Sequence, residues 1–315
     1  MQVNLAPDHF DGDRFYNPSS PQARGFVEVL RWKLTSRPER YPFDASVNTS
    51  IPPKLVEGGE LRVTMVNHST VLLQQNGKNI LTDPVWAERV SPVAWSGPRR
   101  YRAPGVRLDQ LPEIHLVLVS HNHYDHLDLP SLREIQRRWH PVFVAPLKVD
   151  RFLQAEGFER VMGLDWGQQA VADGVTVDSV PALHFSARGL FDRNKTLWCG
   201  YVIDGEIYFA ADTGFGAHFE AIRAHFGPPR LALLPIGAYL PRWFMSPVHM
   251  GPDEAVRAHQ ILGSGTSIAI HHGTFQLADD GIDTPKRELA LCLKREGIDA
   301  ARFRVLANGE DARID

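Results

Sequence analysis

The sequence predicts an α/β protein in which two mixed β-sheets pack face to face with helices on the outside. Two patterns predict this class. Short apolar or β-branched runs begin at Leu61, and strand-like and helix-like segments then alternate to the end of the chain. A hydrophobic fraction of 43% in 315 residues is ample for the core of such a sandwich. We expect one domain over residues 61–315 and an N-terminal arm, residues 1–60, that wraps it.

The arm carries one helical pattern, FVEVLRWKL, at residues 26–34. Its apolar positions follow helical spacing: Phe26, Val27, Leu30 and Leu34. Basic residues cluster beside it: Arg31, Lys33, Arg37 and Arg40. One interpretation is an interfacial helix that contacts anionic lipid. The other, which we favour because most amphipathic helices simply pack, is a helix whose apolar face lies on the core.

From Leu61 the pattern predicts strands at 62–67, 71–75 and 79–82, with Asn76-Gly77 as a hairpin turn. A buried strand at 114–119 precedes a helix from Leu129 to about residue 139, for which Asp128 is a plausible N-cap. The later elements are strand 142–145, helix 148–156, strand 175–180, hairpin 199–203 and 206–210, helix 217–225, strand 231–235, helix 252–262, strand 267–270, helix 285–295 and strand 303–306.

Residues 83–105 form a long predicted loop rich in Pro, Trp and Arg. Long loops in compact domains are often functional. In one interpretation Trp86 and Trp95 line a substrate entrance, and arginines meet a phosphate: Arg99, Arg100 and Arg102. The alternative is an ordered surface loop with stacked arginine and tryptophan side chains. The sequence leaves both open.

The stretch SHNHYDHLD, residues 120–128, concentrates metal-binding side chains between the predicted strand and helix. Within six residues it places His121, His123, Asp125 and His126. Imidazole and carboxylate oxygen both suit zinc, and imidazole also suits iron. Such a loop lies at the carboxyl end of a strand, where open α/β sheets place their ligands. We therefore predict a metal site here.

Further candidates each follow an apolar run: His184 in VPALHFS, Asp212 in FAADTGF and His271 in IAIHHGTF. Taken alone, His184 is also compatible with a satisfied core histidine, and Asp212 with an N-cap or turn carboxylate. His271 and His272 are adjacent, and in a strand they point to opposite sides.

The segment HNHYDH fits the H-x-H-x-D-H signature of the metallo-β-lactamase superfamily. With ADTG, IGAYLPRWFM and IHHGTF, the chain resembles the N-acyl-phosphatidylethanolamine-hydrolysing phospholipase D branch and its bacterial relatives over residues 63–275. The resemblance implies the αβ/βα metallo-β-lactamase fold and two zinc ions, with iron or manganese as alternatives. It assigns His121, His123 and His184 to the first ion, Asp125, His126 and His271 to the second, and Asp212 to both. Relatives tend to carry an aromatic residue where this chain has His272, which favours His271 as the ligand.

The catalytic residues expected are Asp125, Asp212 and His249. His249 would reach the substrate phosphate or protonate the leaving group, although a capping histidine before the helix at 252 is nearly as good an interpretation. Trp243, Phe244 and Met245 are candidates for an acyl pocket or for core. Further substrate or supporting candidates are Tyr124, Tyr239, His272, Asn67 and His68.

We therefore expect a binuclear zinc hydrolase, most simply a phosphodiesterase of phospholipase D type that attacks phosphorus with a metal-bridging hydroxide. A lactonase or other acyl-bond metallo-hydrolase is the alternative within enzymes. A non-catalytic metal-binding protein is the alternative from another class, and the complete ligand set argues against it.

Composition limits the partners. A net charge of −3 gives no global basic field for nucleic acid. Cys199 and Cys292 form no motif and are expected as buried free thiols, which suit a reducing cytoplasm. The first residues lack a charged n-region and an apolar h-region, so we expect that they are not a signal peptide. The sequence has no run of 18 apolar residues, so we expect no membrane span. We expect a cytoplasmic protein that acts on phospholipid, with peripheral contact to the inner membrane face and homodimer formation left open.

Overall fold

The computed structural model describes residues 5, 8–18, 25–42 and 49–315. Its strands are β1 Leu61–Asn67, β2 Thr70–Gln75, β3 Lys78–Thr82, β4 Leu116–Leu118, β5 Val142–Pro146, β6 Val161–Leu164, β7 Gln169–Ala172, β8 Val175–Val180, β9 Gly200–Ile203, β10 Ile207–Phe209, β11 Leu231–Pro235, β12 Thr266–Ile270, β13 Phe303–Arg304 and β14 Asp311–Ile314. Its α-helices are α1 Phe26–Thr35, α2 Leu129–Trp139, α3 Val149–Ala155, α4 His218–Phe226, α5 Arg242–Met245, α6 Pro252–Leu262 and α7 Thr284–Glu296.

The strands form two mixed sheets, as the sequence predicts, and each sheet has seven strands. The first has the order β14-β1-β2-β3-β4-β5-β6 and the second β13-β12-β11-β10-β9-β8-β7. In each sheet an antiparallel half passes into a parallel half, at β3–β4 in the first sheet and at β10–β11 in the second. The parallel connections carry the helices, so the helices cover the outer faces.

Alternate side chains of the strands divide between three apolar clusters. One fills the space between the sheets and includes Leu73, Leu118 and Phe209. A second packs α4, α6 and α7 on the outer face of the second sheet, and a third packs α2 and α3 on the first. This four-layer arrangement buries both faces of each sheet, which explains why the parallel strands are continuous apolar runs.

Two predicted hairpin turns are confirmed, and their backbone angles explain why these residues form them. Asn76-Gly77 and Asp204-Gly205 both have positive φ at each residue, as two-residue hairpin turns of type I′ require.

The sequence analysis missed three strands, β6, β7 and β14, which have only four residues each. Strands this short carry too little alternation to be recognised, and long-range pairing stabilises them; β14, for example, pairs with β1.

The helix predicted at 26–34 is present as α1, but the favoured prediction that its apolar positions lie on the core is wrong for three of them. Val27, Leu30 and Leu34 are 74%, 50% and 79% exposed. The helix docks instead through Trp32, whose Nε1 donates to Asp279 Oδ1 (3.0 Å). The large indole and its hydrogen bond select a different face. The side chain of Phe26 lies outside the described residues.

Residues 8–18 of the arm contact the sandwich at several points. Phe15 joins the cluster between the sheets, and His9 Nε2 lies 2.7 Å from Asp165 Oδ1. Asn17 Nδ2 donates to the carbonyl of His184 (2.8 Å), one of the candidate ligands. Both sheets lie within residues 61–315, but the division at residue 60 stays a prediction. Among the described residues, the longest helix is the 13-residue α7, and no helix combines the length and hydropathy that a bilayer span requires.

Candidate metal centre

The candidate ligands converge from four strand ends at one edge of the sandwich. His121 follows β4 of the first sheet, whereas His184, Asp212 and His271 follow β8, β10 and β12 of the second. Each loop leaves the carboxyl end of its strand, so the ligands from both sheets meet over the seam. All seven candidates lie together in the structure, although their roles as ligands stay a prediction.

Three imidazoles form the first potential metal site. His121 Nε2 lies 2.8 Å from His123 Nδ1, and His123 Nδ1 lies 3.2 Å from His184 Nε2. The outer ring nitrogens are held: His121 Nδ1 lies 2.9 Å from Ser120 Oγ, and His184 Nδ1 lies 3.0 Å from the carbonyl oxygen of Val248. Such outer contacts fix the orientation of ligand rings. Three converging nitrogens are a suitable set for one zinc ion.

A second potential site surrounds the carboxylate of Asp125. Its Oδ2 lies 3.3 Å from His126 Nε2 and 3.4 Å from His271 Nε2. His68 also reaches this oxygen, at 3.1 Å. The ring of His68 is buried, and its position agrees with the predicted support of a ligand from outside the centre. Asn67, the other residue predicted to support a ligand, has a different partner: its Oδ1 accepts a hydrogen bond from Arg100 (3.0 Å).

Asp212 lies between the two sets. Its Oδ2 is 3.1 Å from His271 Nε2 and 3.2 Å from His126 Nε2, and it is 3.6 Å from His184 Nε2 on the other side. The second oxygen, Oδ1, is buried and has no hydrogen-bond partner within the described parts of the chain. A carboxylate with one unused buried oxygen, in contact with both sets, fits a residue that is shared between two ions.

The electrostatics of the centre suit cation binding. Burial lowers the pKa of His123 to about 3 and that of His184 to about 4, so both are neutral, the form that binds metal. Burial alone would raise the pKa of Asp212, but the charges of His126 and His271 hold it well below its ordinary range. Buried anionic carboxylates need compensating positive charge. The raised pKa values of His126 and His271 show that these imidazoles supply it here as cations, and bound metal ions would take their place.

Asp83 supports the centre and was missed by the sequence analysis. It is fully buried, and its Oδ2 lies 2.7 Å from His126 Nδ1. Its other oxygen accepts the backbone N–H of Ser120 (2.7 Å) and so ties the end of β4 to the end of β3. The available signal was its place, directly after β3 and ahead of the metal loop.

The two adjacent histidines occupy different surroundings. His271 adopts a left-handed conformation with φ of 57°, which turns its ring toward Asp125 and Asp212. His272 is directed elsewhere: burial, with a further contribution from the charge of Arg102, lowers its pKa to about 4. His272 does not line the cavity described next, so its predicted place in the substrate pocket is not supported.

A cavity of ≈ 280 Å³ opens over the centre. His123, Asp125, Asp212 and His249 form its polar floor. Its walls are mostly apolar and come from α1, α5 and the neighbouring loops: Val29, Trp32, Phe185, Arg193, Phe244, Met245, Val248 and Leu277. The predicted acyl-pocket residues Phe244 and Met245 are therefore at the cavity, and Trp243 packs on Phe244 with ring centroids 5.6 Å apart. Arg193, Val29 and Trp32 were not predicted.

The loop at 83–105 does not reach this cavity. Trp86 lines a separate depression of ≈ 560 Å³ together with Arg107 and Arg138, and its Nε1 donates to the carbonyl of Val106 (3.0 Å). Trp95 is 81% exposed. The prediction that these two tryptophans line the entrance to the substrate site is therefore wrong. Asp128 holds this loop, because its Oδ2 accepts the backbone N–H groups of residues 86 and 87 rather than capping α2.

The arginines predicted to meet phosphate are also placed elsewhere. Arg100 is 2% exposed and donates to Asn67 Oδ1 and to the carbonyls of residues 85 and 87. Arg102 pairs with Asp283 (3.0 Å), and Arg99 is exposed outside the cavity lining. The contacts of Arg100 and Arg102 hold the loop in place, which agrees with the alternative of an ordered surface loop.

Tyr124 and Tyr239 are likewise outside the cavity lining. Tyr124 donates its hydroxyl to the carbonyl of Arg188 (3.1 Å), and the guanidinium of Arg188 lies 3.9 Å from its ring centroid. Tyr239 is 3% exposed, and its backbone N–H donates to Asp280 Oδ1 (3.1 Å). The side chain of Tyr124 therefore contacts the loop at Arg188, the backbone of Tyr239 is held by Asp280, and neither side chain lines the cavity.

Comparison with known proteins establishes the class. The family model of the β-lactamase superfamily domain matches residues 78–272. Among solved structures, Igni18, a metallo hydrolase from the archaeon Ignicoccus hospitalis, is similar with a TM-score of 0.62 at 25% identity, over 81% of this chain and 99% of that one. The fold and the histidine–aspartate centre together define a metal-dependent hydrolase.

Proteins with similar sequences place the chain more closely within this class of hydrolases. A Mycobacterium tuberculosis protein is 39% identical over 285 residues, covering 87% of this chain and 76% of that protein. The N-acyl-phosphatidylethanolamine-hydrolyzing phospholipase D 1 of Caenorhabditis elegans is 41% identical over 231 residues, 69% of this chain and 65% of that enzyme. The chain belongs to the metallo-β-lactamase superfamily and is related to the N-acyl-phosphatidylethanolamine-hydrolysing phospholipases D.

Proposed function

We propose that the chain is a binuclear zinc-dependent phosphodiesterase of phospholipase D type that acts on lipids resembling N-acyl phosphatidylethanolamine. The observation that carries the binuclear proposal is the position of Asp212 Oδ2, which contacts the histidines of both potential metal sites. The similarity to the C. elegans phospholipase D supports the substrate class. The apolar walls of the cavity are compatible with an acyl or glyceryl group.

In this proposal the first ion is held by His121, His123 and His184 and the second by Asp125, His126 and His271, with Asp212 as ligand to both. When bound, two such ions supply a water nucleophile at neutral pH and polarise the phosphoryl oxygen. Nucleophilic serine or cysteine is then unnecessary, which fits the deep burial of Cys199 and Cys292 as free thiols away from the cavity lining.

His249 is the side chain best placed to contact the reacting phosphate beside the ligands. It lines the cavity, and its ring lies 5.4 Å from that of His271 and 5.0 Å from that of His184. Burial holds its pKa well below the ordinary range, so the ring is a neutral imidazole. A neutral imidazole with an N–H toward the cavity donates a hydrogen bond to a phosphoryl or leaving oxygen.

The class of reaction is tested by pairing two substrates. We expect the zinc-reconstituted enzyme to cleave bis-p-nitrophenyl phosphate, and a long-chain phospholipid better, because the apolar wall buries methylenes at roughly 0.8 kcal/mol each. The measurement is kcat/KM for the phosphodiester and for an acyl-homoserine lactone at matched concentrations. Efficient lactone opening without phosphodiester cleavage contradicts the phospholipase proposal and supports an acyl-bond hydrolase. Metal binding without turnover of either substrate supports a non-catalytic metal protein.

We further propose that α1 brings the enzyme to an anionic bilayer surface. Val27, Leu30 and Leu34 form an exposed apolar face, while Val29 and Trp32 of the same helix line the cavity. Exposed basic residues flank that face: Arg31, Lys33, Arg37 and Arg40. Apolar residues beside Lys and Arg fit the headgroup region of an anionic leaflet, to which each basic residue contributes about 1 kcal/mol. Lipid would then reach the cavity without crossing water.

Vesicle binding tests this surface without use of turnover. Wild type is expected to float with phosphatidylglycerol-containing vesicles and not with phosphatidylcholine alone. Replacing Val27, Leu30 and Leu34 by serine should weaken binding roughly tenfold or more, since apolar burial is lost. The matched control replaces Val171 and Leu291, which are 64% and 68% exposed, by serine. Equal binding of both variants rejects the proposal. A wild-type dimer that only the α1 variant dissociates assigns the face to a second copy instead.

A further inference from the structure

A phosphodiester carries negative charge into a cavity that already holds two buried carboxylates, Asp125 and Asp212. Bound ions offset part of this charge, and a cationic side chain on the wall favours an anionic substrate over a neutral one. The arginines that the sequence nominated are committed elsewhere. Arg242, the first residue of α5, does not line the cavity either: it pairs with Glu254 (2.6 Å) and donates to the carbonyl of His249 (3.0 Å).

Among the described residues that line the cavity, Arg193 is the one lysine or arginine. Its guanidinium carbon lies 5.2 Å from the ring centroid of Phe185, and that ring lies 4.6 Å from the ring of His123. The side chain is therefore stacked on a residue that itself packs on the metal centre. Stacking on an aromatic face limits the rotamers of a guanidinium.

The backbone around Arg193 is held by local hydrogen bonds. The carboxylate of Asp192 accepts the N–H groups of Gly189 (2.8 Å) and Arg188 (3.1 Å). Asn194 donates its N–H to the carbonyl of Ser186 (2.7 Å), two residues after the ligand His184. Arg14 of the arm bonds the carbonyl of Arg193 itself. A loop closed this way positions the guanidinium before substrate binds, which reduces the entropy cost of the contact.

We infer that Arg193 is a specificity-determining residue that contacts a non-bridging oxygen of a phosphate diester through its guanidinium. The inference rests on the proposed phosphodiesterase function. A guanidinium N–H bonded to an anionic oxygen is a strong, charge-assisted contact, and a neutral ester or lactone offers no such partner. Burial lowers the pKa of Arg193, but the group stays cationic at neutral pH, and partial removal from water strengthens its attraction to phosphate.

The test compares Arg193→Gln, Arg193→Ala and Arg193→Lys with wild type and with Lys195→Ala, an exposed cation two residues away. We expect Arg193→Gln to lower kcat/KM for bis-p-nitrophenyl phosphate about 10- to 100-fold, the loss of one charge-assisted hydrogen bond. Turnover of p-nitrophenyl acetate should change little. Arg193→Lys should recover part of the loss by charge alone, and Lys195→Ala should leave both rates unchanged.

A binding measurement tests the inference independently of the proposed function. Calorimetry measures the affinity of metal-loaded protein for dibutyl phosphate, a diester, and for inorganic phosphate. We expect Arg193→Gln to weaken diester binding by a similar factor; weaker binding of inorganic phosphate alone would assign Arg193 to free phosphate and overturn the diester contact. If wild type cleaves no phosphodiester, the proposed function is wrong, and the binding measurement still decides the role of Arg193. Unchanged binding and unchanged phosphodiester turnover in a correctly folded variant reject the inference.

Discussion

Replacing Asp212 by alanine is expected to abolish hydrolysis and to lower the metal content from two ions per chain to one or fewer. The reason is geometric: Oδ2 of Asp212 lies 3.1 Å from His271 Nε2, 3.2 Å from His126 Nε2 and 3.6 Å from His184 Nε2. Loss of this carboxylate removes a ligand from both proposed ions and leaves the surrounding imidazoles without their counter-charge. The rate loss should exceed the roughly 10- to 100-fold typical of residues outside the ligand shell.

The measurement is elemental analysis of protein purified without chelator, for wild type and variant, followed by turnover after reconstitution with zinc. Asp83→Asn is the graded control, because Asp83 contacts His126 from the far side of the ring, at 2.7 Å from Nδ1. It should keep both ions with weaker affinity. A wild-type stoichiometry near zero after careful reconstitution would end the hydrolase proposal, and two retained ions in the Asp212 variant would remove Asp212 from the ligand set.

His271→Ala should abolish activity and lose one metal ion, whereas His272→Ala should keep both ions and much of the rate. The two residues are adjacent in sequence, but only His271 contacts the carboxylates, with Nε2 at 3.1 Å from Asp212 and 3.4 Å from Asp125. His272 lies among Arg102, Lys286 and Asp283. Its loss should cost at most the roughly 10- to 100-fold of an outer partner.

Metal content and turnover of the two variants are measured side by side, with circular dichroism to verify folding. Each variant serves as the control for the other, because both delete a buried imidazole and the two positions are consecutive. The reversed pattern, with metal lost only from His272→Ala, would show that the loop after β12 is placed in the wrong register. Loss of metal from both would indicate that the loop conformation, rather than the identity of the ligand, decides binding.

The polar floor and the apolar wall of the cavity come from different parts of the chain. The polar floor comes from the loops after β4 and β10 and from His249 between α5 and α6, whereas much of the apolar wall comes from α1 and α5. Trp32 of α1 stacks on Phe244 of α5 with ring centroids 5.0 Å apart. In the proposed function, catalysis and the fit of the substrate therefore depend on different segments, and we expect changes in the N-terminal arm to alter substrate choice without alteration of the centre.

The sequence by itself determined the strand and helix framework and the identity of the metal centre's candidate side chains. These features depend on local physics. Asn76-Gly77 forms its turn because both residues tolerate positive φ, and α6 begins at Pro252 and ends before Gly263 because of the conformational preferences of those residues. The spacing of His121, His123 and His126 brings three imidazoles onto one loop whatever the rest of the chain does.

Only the tertiary structure decided which side chains surround the centre. Asp83 and Arg193 lie far apart in sequence and belong to no recognisable pattern, yet packing of the two sheets brings them around the same site. Likewise, Arg100 and Trp86 have the right chemistry for a substrate but are directed into their own loop. The physical reason is that side-chain type and local period fix what a residue can bind, whereas its partner depends on long-range packing, which local periodicity does not encode.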